Sequence, residues 1–246
     1  MTTTPRISIN KLVEYCLANG PRRTAIIEDI LQPKGYLVDT GYNDIERAFA
    51  AYLSTQGEDS TKLRDLDYQL QQREARTDHE EGRILNALDM IECALTLPLE
   101  KFEKLNIESP ASKMPRFELS GLSVSVGPTN ILRLNQRGKK AQGIGIIKSY
   151  FSMTAPLTTT RSSEKAALHG TILHWYAETF LAHLGEIIPS VCFSIDVFAQ
   201  KVTSAPKSYK ARRRHIASCA QEICDRWKPI KSRLVENGKI AIAGER

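Results

Sequence analysis

The chain has 246 residues, 41% hydrophobic and 25% charged, with a formal net charge of +6. That balance belongs to a chain with a substantial apolar core and excludes a disordered or low-complexity polymer. The excess of cations favours an acidic partner, nucleic acid or a membrane surface, so the placement of the basic residues matters more than their total.

The opening MTTTPRISIN lacks the apolar segment of a secretory signal, and no apolar run approaches the ~20 residues that span a bilayer. A cytoplasmic protein without a membrane partner is expected. The cysteines are Cys16, Cys93, Cys192, Cys219 and Cys224. Their number is odd and no pair has CxxC spacing, so buried free thiols in a reducing compartment are expected.

In chain order, residues 1–6 read as a frayed tail. Ser8 is placed to cap a short helix carrying Ile9, Leu12, Val13 and Cys16 at helical spacing. Asn19-Gly20 ends it, and Pro21 opens a second helix to about Leu31. Arg22 and Arg23 stand at that start, where the helix dipole disfavours cations. Either something anionic docks there or both are solvated. Residues 33–35 read as a turn and 36–38 as a short extended piece. Residues 43–54 read helical, with Ile45, Ala48, Phe49, Tyr52 and Leu53 on one side. Leu63, Leu66 and Leu70 form one helical stripe; Ile84, Leu85, Leu88, Ile91 and Leu95 form another. The polar stretch 71–82 between them is an exposed helix or a break. Residues 105–116, with Pro110 and Pro115, read as a linker.

Residues 117–151 alternate as strands do. They suggest two or three neighbouring strands, broken by Gly127-Pro128 and by the basic turn Arg137-Gly138-Lys139-Lys140. A loop over 158–163 leads to a helix capped by Ser162 or Ser163, with Glu164 in its first turn and running to about Gly185. That helix buries Leu168, Ile172, Leu173, Tyr176, Phe180 and Leu184. Residues 191–202 read as one strand with Asp196 near its middle. A last helix spans 207–227 with a buried stripe of Ile216, Ala220, Ile223 and Trp227, and the tail after Pro229 reads as polar and loose. The whole is an α/β (or α+β) chain: a helical region 1–110 packed on or preceding a core 111–230, in which a small mixed sheet is flanked by helices, and a tail 231–246.

Several chemistries lack their residues. There is no GxSxG nucleophile elbow. The run Gly143-Ile-Gly145-Ile-Ile-Lys148 has neither P-loop spacing nor the third glycine of a dinucleotide fingerprint. His169, His174 and His183 share a predicted helix, but at about 100° per residue they do not converge, so zinc is not expected there. The cations are better grouped. Lys207, Lys210, Arg212, Arg213 and Arg214 open the last helix with Tyr209 among them, and Arg137, Lys139 and Lys140 sit on the central turn. Cations on rigid elements suit phosphate contacts, and an interleaved tyrosine could stack on a base; a solvated charged face is the plain alternative.

Ser8-Ile-Asn-Lys-Leu12-Val-Glu-Tyr15 followed by Gly20-Pro21-Arg22-Arg23, and then the strand–strand–helix–strand–helix order, resembles the PD-(D/E)XK nuclease superfamily, especially its RecB-like branch, which includes the CRISPR-adaptation exonucleases. The resemblance implies a restriction-endonuclease-like core. The strands within 121–134 and 143–151 would be its core hairpin, His169 to Tyr176 would take the place of its Gln-x-x-x-Tyr-like helix, and residues 191–227 that of the following strand and helix. In such proteins two carboxylates hold a divalent metal and a lysine positions the attacking water. Lys148 matches the lysine, but Thr129 and Ile146 stand where the Asp and Glu would be. The resemblance therefore implies a degenerate copy: a DNA- or RNA-binding accessory protein without cleavage and without a cofactor, open to further protein partners in a larger complex. Alternatives are an active nuclease with a rebuilt Mg2+ or Mn2+ site, with Lys148 and Asp196 as catalytic candidates, His79, Glu80 and Asp196 as metal candidates and Glu164 as a further migrant, or an interaction module with no nucleic-acid role.

Overall fold

A computed structural model describes residues 4–32, 42–110, 114–135, 142–151, 159–238 and 240. It is mixed α/β, as expected. The opening is β1 (Arg6–Ser8), α1 (Ile9–Leu17), α2 (Gly20–Leu31) and α3 (Tyr42–Ser54). Then follow α4 (Thr61–Gln71), α5 (Asp78–Leu95), β2 (Leu105–Glu108), β3 (Phe117–Leu119), β4 (Leu122–Ser125), β5 (Asn130–Leu134) and β6 (Gly143–Tyr150). The remainder is α6 (Thr159–Phe180), β7 (Glu186–Ile187), β8 (Phe193–Asp196), β9 (Lys201–Ser204) and α7 (Lys210–Glu236). Among the described residues no helix is long and apolar enough to cross a membrane.

The first helices follow local chemistry. Ser8 Oγ accepts from Lys11 N at 3.3 Å and Asn19 Oδ1 from Arg22 N at 3.4 Å, so each satisfies an N–H that the first turn leaves without a partner. Pro21 falls in the first turn of α2, where its missing N–H costs nothing.

The strands form two sheets. In the larger, the order is β2-β5-β6-β8-β9, with β7 also pairing β6; β2, β5 and β6 run antiparallel, β8 lies parallel to β6, and β9 returns antiparallel to β8. The smaller sheet has the order β1-β4-β3. Two apolar clusters fill the molecule. One takes Ile144 and Ile146 of β6 with α1, α2, α6, α7 and the smaller sheet. The other takes Ile147 of β6 with α3, α4, α5, β2, β8 and β9. β6 thus contributes side chains to both clusters, which is why it reads as a nearly unbroken apolar run. Gly145 lies against a backbone: a Cβ there would sit 2.1 Å from the Val191 carbonyl oxygen.

Several sequence expectations change. Arg6 is not in a frayed tail but pairs with Ser123 in a parallel strand. The predicted linker contains β2, zipped to β5 in the register Leu105↔Leu134 to Glu108↔Ile131. Residues 117–134 divide between the two sheets at Gly127-Pro128 instead of forming neighbouring strands of one. The stretch after α4 is a break, and α5 buries Ala87, Met90, Ile91 and Ala94 while Leu85 is 55% exposed; the small alanines let the helix approach closely, and the leucines flank that line. α6 begins at Thr159, so Ser162 and Ser163 lie inside it. Residues 191–202 are not one strand but β8 and β9, with Gln200 at φ 52° in the turn between them. α7 continues through Pro229, and Ile230 and Leu234 beyond it are buried. An interior proline costs about 3 kcal/mol, which two buried aliphatic side chains at about 1.5–3 kcal/mol each offset. The predicted turn and extended piece at 33–38 and the basic turn of Arg137, Lys139 and Lys140 lie outside the described residues.

The close approach at β6 gives a stability prediction. Gly145→Ala should cost about 1–3 kcal/mol or more, because backbone and not a flexible side chain must move. Gly82→Ala, in α5 with nothing within 4 Å of the added carbon, should be neutral or stabilising by about 0.4–1 kcal/mol. Urea unfolding of both variants measures the contrast.

Candidate functional site

Where β5 begins and β6 ends, polar side chains collect. Thr129 N donates to Ile147 O at 2.7 Å, and its hydroxyl lies 2.9 Å from Ser149 Oγ and accepts from Ser149 N at 3.0 Å. Both hydroxyl residues are buried. Asn130 Nδ2 donates to Ala50 O and Ser54 Oγ at 3.1 and 3.0 Å, fastening α3 across the start of β5. α3 then presents Glu46 to Lys148, whose Nζ is ion-paired with the carboxylate. The Lys148 side chain is only 13% exposed.

Beside this pair opens a cleft of ≈ 330 Å³, lined by Glu46, Arg116, Ser125, Gly127, Pro128 and Lys148 among others. Arg116 is exposed and makes no ion pair among the described residues. The cleft therefore carries two cations and one carboxylate. Of the positions where the resemblance places metal-holding acids, Thr129 is bonded to Ser149 and Ile146 is fully buried in the apolar cluster.

Asp196 lies one strand over, opposite Tyr150 in the β6–β8 register. It accepts from Ala199 N at 3.1 Å, and its other oxygen is 4.0 Å from Lys165 Nζ. Lys165 also sits over the Tyr150 ring, 4.6 Å from its centre. Burial pushes its ammonium below the usual lysine range, against the opposing pull of Asp196 and Glu14. Behind it, His169 is stacked on Tyr150 at 4.7 Å and 13°. His169 is wholly buried, and neither ring nitrogen has a hydrogen-bond partner among the described residues. Burial first, then the charges of Lys165 and Lys148, push the imidazole down to about 3, so it is neutral at ordinary pH.

Two of the cations at the basic start of α7 are committed within the protein. Arg212 grips Glu164 with two bonds of 3.2 and 3.1 Å. Arg213 pairs with Glu178 at 2.5 Å, donates toward His174 Nδ1 at 2.9 Å and lies 4.3 Å from the Tyr209 ring centre. The same Tyr209 ring also meets His174 edge-on. Lys207, Lys210 and Arg214 are exposed and make no ion pair among the described residues. Lys207 precedes the helix instead of lying in it.

His79 and Glu80 open α5. Glu80 accepts from Arg76 N and Arg73 and forms part of the Thr77 cap. His79, Glu80 and Asp196 do not come together as a set of ligands; among the described residues only Cys16, His215 and Cys219 place their ligand atoms within 4.8 Å of one another. His169 and His174 are buried packing residues, and His183 lies beyond the helix in a short turn.

Sequence reading passes over Glu46, Arg116, Lys165 and His169 as site residues. Lys165 and His169 are four apart on one helix and so share a face, a signal present in the sequence. Glu46 and Arg116 reach the cleft only through tertiary packing. The Arg22 and Arg23 question resolves inward: Arg22 is paired with Glu14 and Arg23 with Glu222 at 2.6 Å, so their anions are the chain's own.

No protein-family model, curated protein or solved structure matches this chain.

The buried imidazole implies an acid limb of stability. A folded-state value below the ordinary 6.5 means that the unfolded chain binds the proton more readily. Stability is then full above about pH 6.5 and falls as pH drops toward the folded value, by up to about 1.4 kcal/mol per pH unit. His169→Phe, which keeps a ring against Tyr150, should flatten the thermal-stability profile between about pH 6.5 and pH 4.

Proposed function

We propose that the chain binds DNA or RNA without cutting it, on a core of the PD-(D/E)XK kind, and serves as an accessory factor to other proteins. The observation that carries this reading is the cleft at the hairpin end: Lys148 and Arg116 line it, while the positions expected to hold metal-binding acids are Thr129 and Ile146. A volume of ≈ 330 Å³ lies at the small end of ligand pockets and suits a single phosphodiester with part of its sugar. The order β5, β6, α6, β8, α7, with β8 parallel to β6, supports the same reading.

Within this proposal the backbone phosphates meet Arg116 in the cleft, where Lys148 stays paired with Glu46, and Lys207, Lys210 and Arg214 at the start of α7. Arg212, Arg213 and Tyr209 hold that helix in place instead of contacting the ligand, since their charges and rings are already engaged. Such contacts to phosphate give affinity without sequence preference and make it fall with salt.

Glu46 supports a second reading, metal-dependent cleavage, because it is a carboxylate in the cleft beside Lys148. It is a single carboxylate, and its charge is already matched by the lysine, so a bound Mg2+ or Mn2+ would have to displace that pair. The first reading is therefore preferred.

The test is fluorescence anisotropy with single- and double-stranded oligonucleotides over a range of salt. Affinity should fall with salt, and Arg116→Gln together with Lys210→Gln should lower the log–log slope by about 0.7–0.9 for each phosphate left without its cation. Arg212→Gln should leave the slope unchanged. Absence of binding at low salt would leave an interaction module; cleavage with Mg2+ or Mn2+ that is abolished in Glu46→Gln would establish the nuclease instead.

A further inference from the structure

The first and last helices meet at a second cluster that the binding cleft does not use. On α7, His215 and Cys219 are four residues apart and so project from one face. Cys16 on α1 faces them from a buried position. His215 Nε2 lies 3.8 Å from Cys219 Sγ and 3.3 Å from the Cys16 carbonyl oxygen. The ligand atoms of all three lie within 4.8 Å of one another.

We propose that Cys16, His215 and Cys219 form a zinc-binding site that clasps α1 to α7. Zinc lies about 2.3 Å from thiolate sulfur and about 2.0–2.1 Å from imidazole nitrogen. Tetrahedral angles then place sulfur and nitrogen about 3.6 Å apart and two sulfurs about 3.8 Å apart. The observed 3.8 Å between His215 and Cys219 is already at that separation, and the 4.8 Å limit leaves at most about an ångström of closure for Cys16. Two thiolates and a neutral imidazole also match zinc in charge, giving a neutral complex in a half-buried place.

The surroundings suit a metal thiolate. Arg23 Nη2 is 3.9 Å from Cys219 Sγ and is oriented by Glu222 at 2.6 Å, so it can donate to the bound sulfur while its own charge is balanced. His215 is exposed whereas both cysteines are buried, and three protein ligands leave a fourth position for water. The preference for sulfur and imidazole separates this site from one for Mg2+ or Mn2+, which take oxygen ligands. Sequence spacing hides it because 199 residues separate Cys16 from His215.

The test is zinc titration of the full chain after reduction and chelation, against a competing chromophoric indicator. One zinc per chain is expected, with a higher melting temperature in its presence, and cobalt in its place should show the absorption bands of tetrahedral thiolate coordination. His215→Gln, at an exposed position, should weaken zinc by more than the about 10–100-fold that loss of an outer partner costs. Cys219→Ser should do the same, and Cys93→Ser should bind as the unaltered chain does. The proposal is overturned if the reduced chain takes up no zinc, if it carries iron instead, or if His215→Gln and Cys219→Ser bind zinc as well as the unaltered chain. A Cys16–Cys219 disulfide that reduction opens without restoring zinc uptake would also overturn it. None of these readouts depends on nucleic-acid binding.

Discussion

The fold depends on one strand serving two cores. β6 sends Ile144 and Ile146 into one apolar cluster and Ile147 into the other, and takes hydrogen bonds from β5 on one side and β8 on the other. A strand so placed tolerates a polar side chain only where it reaches the surface, near its end. That is where Lys148 is found, with the cleft beside it, while the neighbouring Ser149 stays buried and is satisfied by Thr129. The same burial sets the chemistry of the neighbourhood. Ile146 is too deeply packed to be exchanged for a ligand, and His169 is held neutral because its surroundings disfavour the charged ring.

A second theme is internal neutralisation. The formal excess of +6 suggests a broadly positive molecule. Yet Arg22, Arg23, Arg212, Arg213 and Lys148 all meet acids of the same chain, and the partners Glu14, Glu222, Glu164, Glu178 and Glu46 come from other helices. Partly exposed ion pairs contribute little to stability, often under about 1 kcal/mol. Their main effect here is to fix helices against one another; around the cleft and the start of α7 they leave the exposed charge on Arg116, Lys207, Lys210 and Arg214.

Features governed by near neighbours are legible in the sequence. The cap at Ser8, the opening of α2 around Pro21, the buried face of α3 and the break at Gly127-Pro128 all follow from residues within a turn or two. What is not legible depends on distant partners. β2 looks like a linker because Leu105-Asn-Ile-Glu108 is short and stands next to Pro110; only β5 makes it a strand. α7 passes Pro229 because Ile230 and Leu234 find a core that sequence spacing does not reveal. The candidate site divides in the same way. Lys148 stands out from its place at the end of a predicted strand, whereas Glu46, Arg116 and the Cys16–His215–Cys219 grouping need tertiary structure to appear.

The contact of α1 with α7 also bears on synthesis. Helix α1, with Leu12, Val13 and Cys16, packs against α7, which brings Ile216, Cys219 and Ala220 to the same apolar cluster, and His215 lies 199 residues beyond Cys16. A chain emerging in order from the ribosome therefore exposes part of the apolar face of its first helix until nearly the last helix has followed. The cluster containing α3, α4 and α5 draws on residues from 45 to 202 and has all its strands before α7 appears. Nascent chains in this interval hold one half of the protein with its core in hand and the other half still seeking its lid, which is the stage at which hydrophobic surface invites chaperones or aggregation.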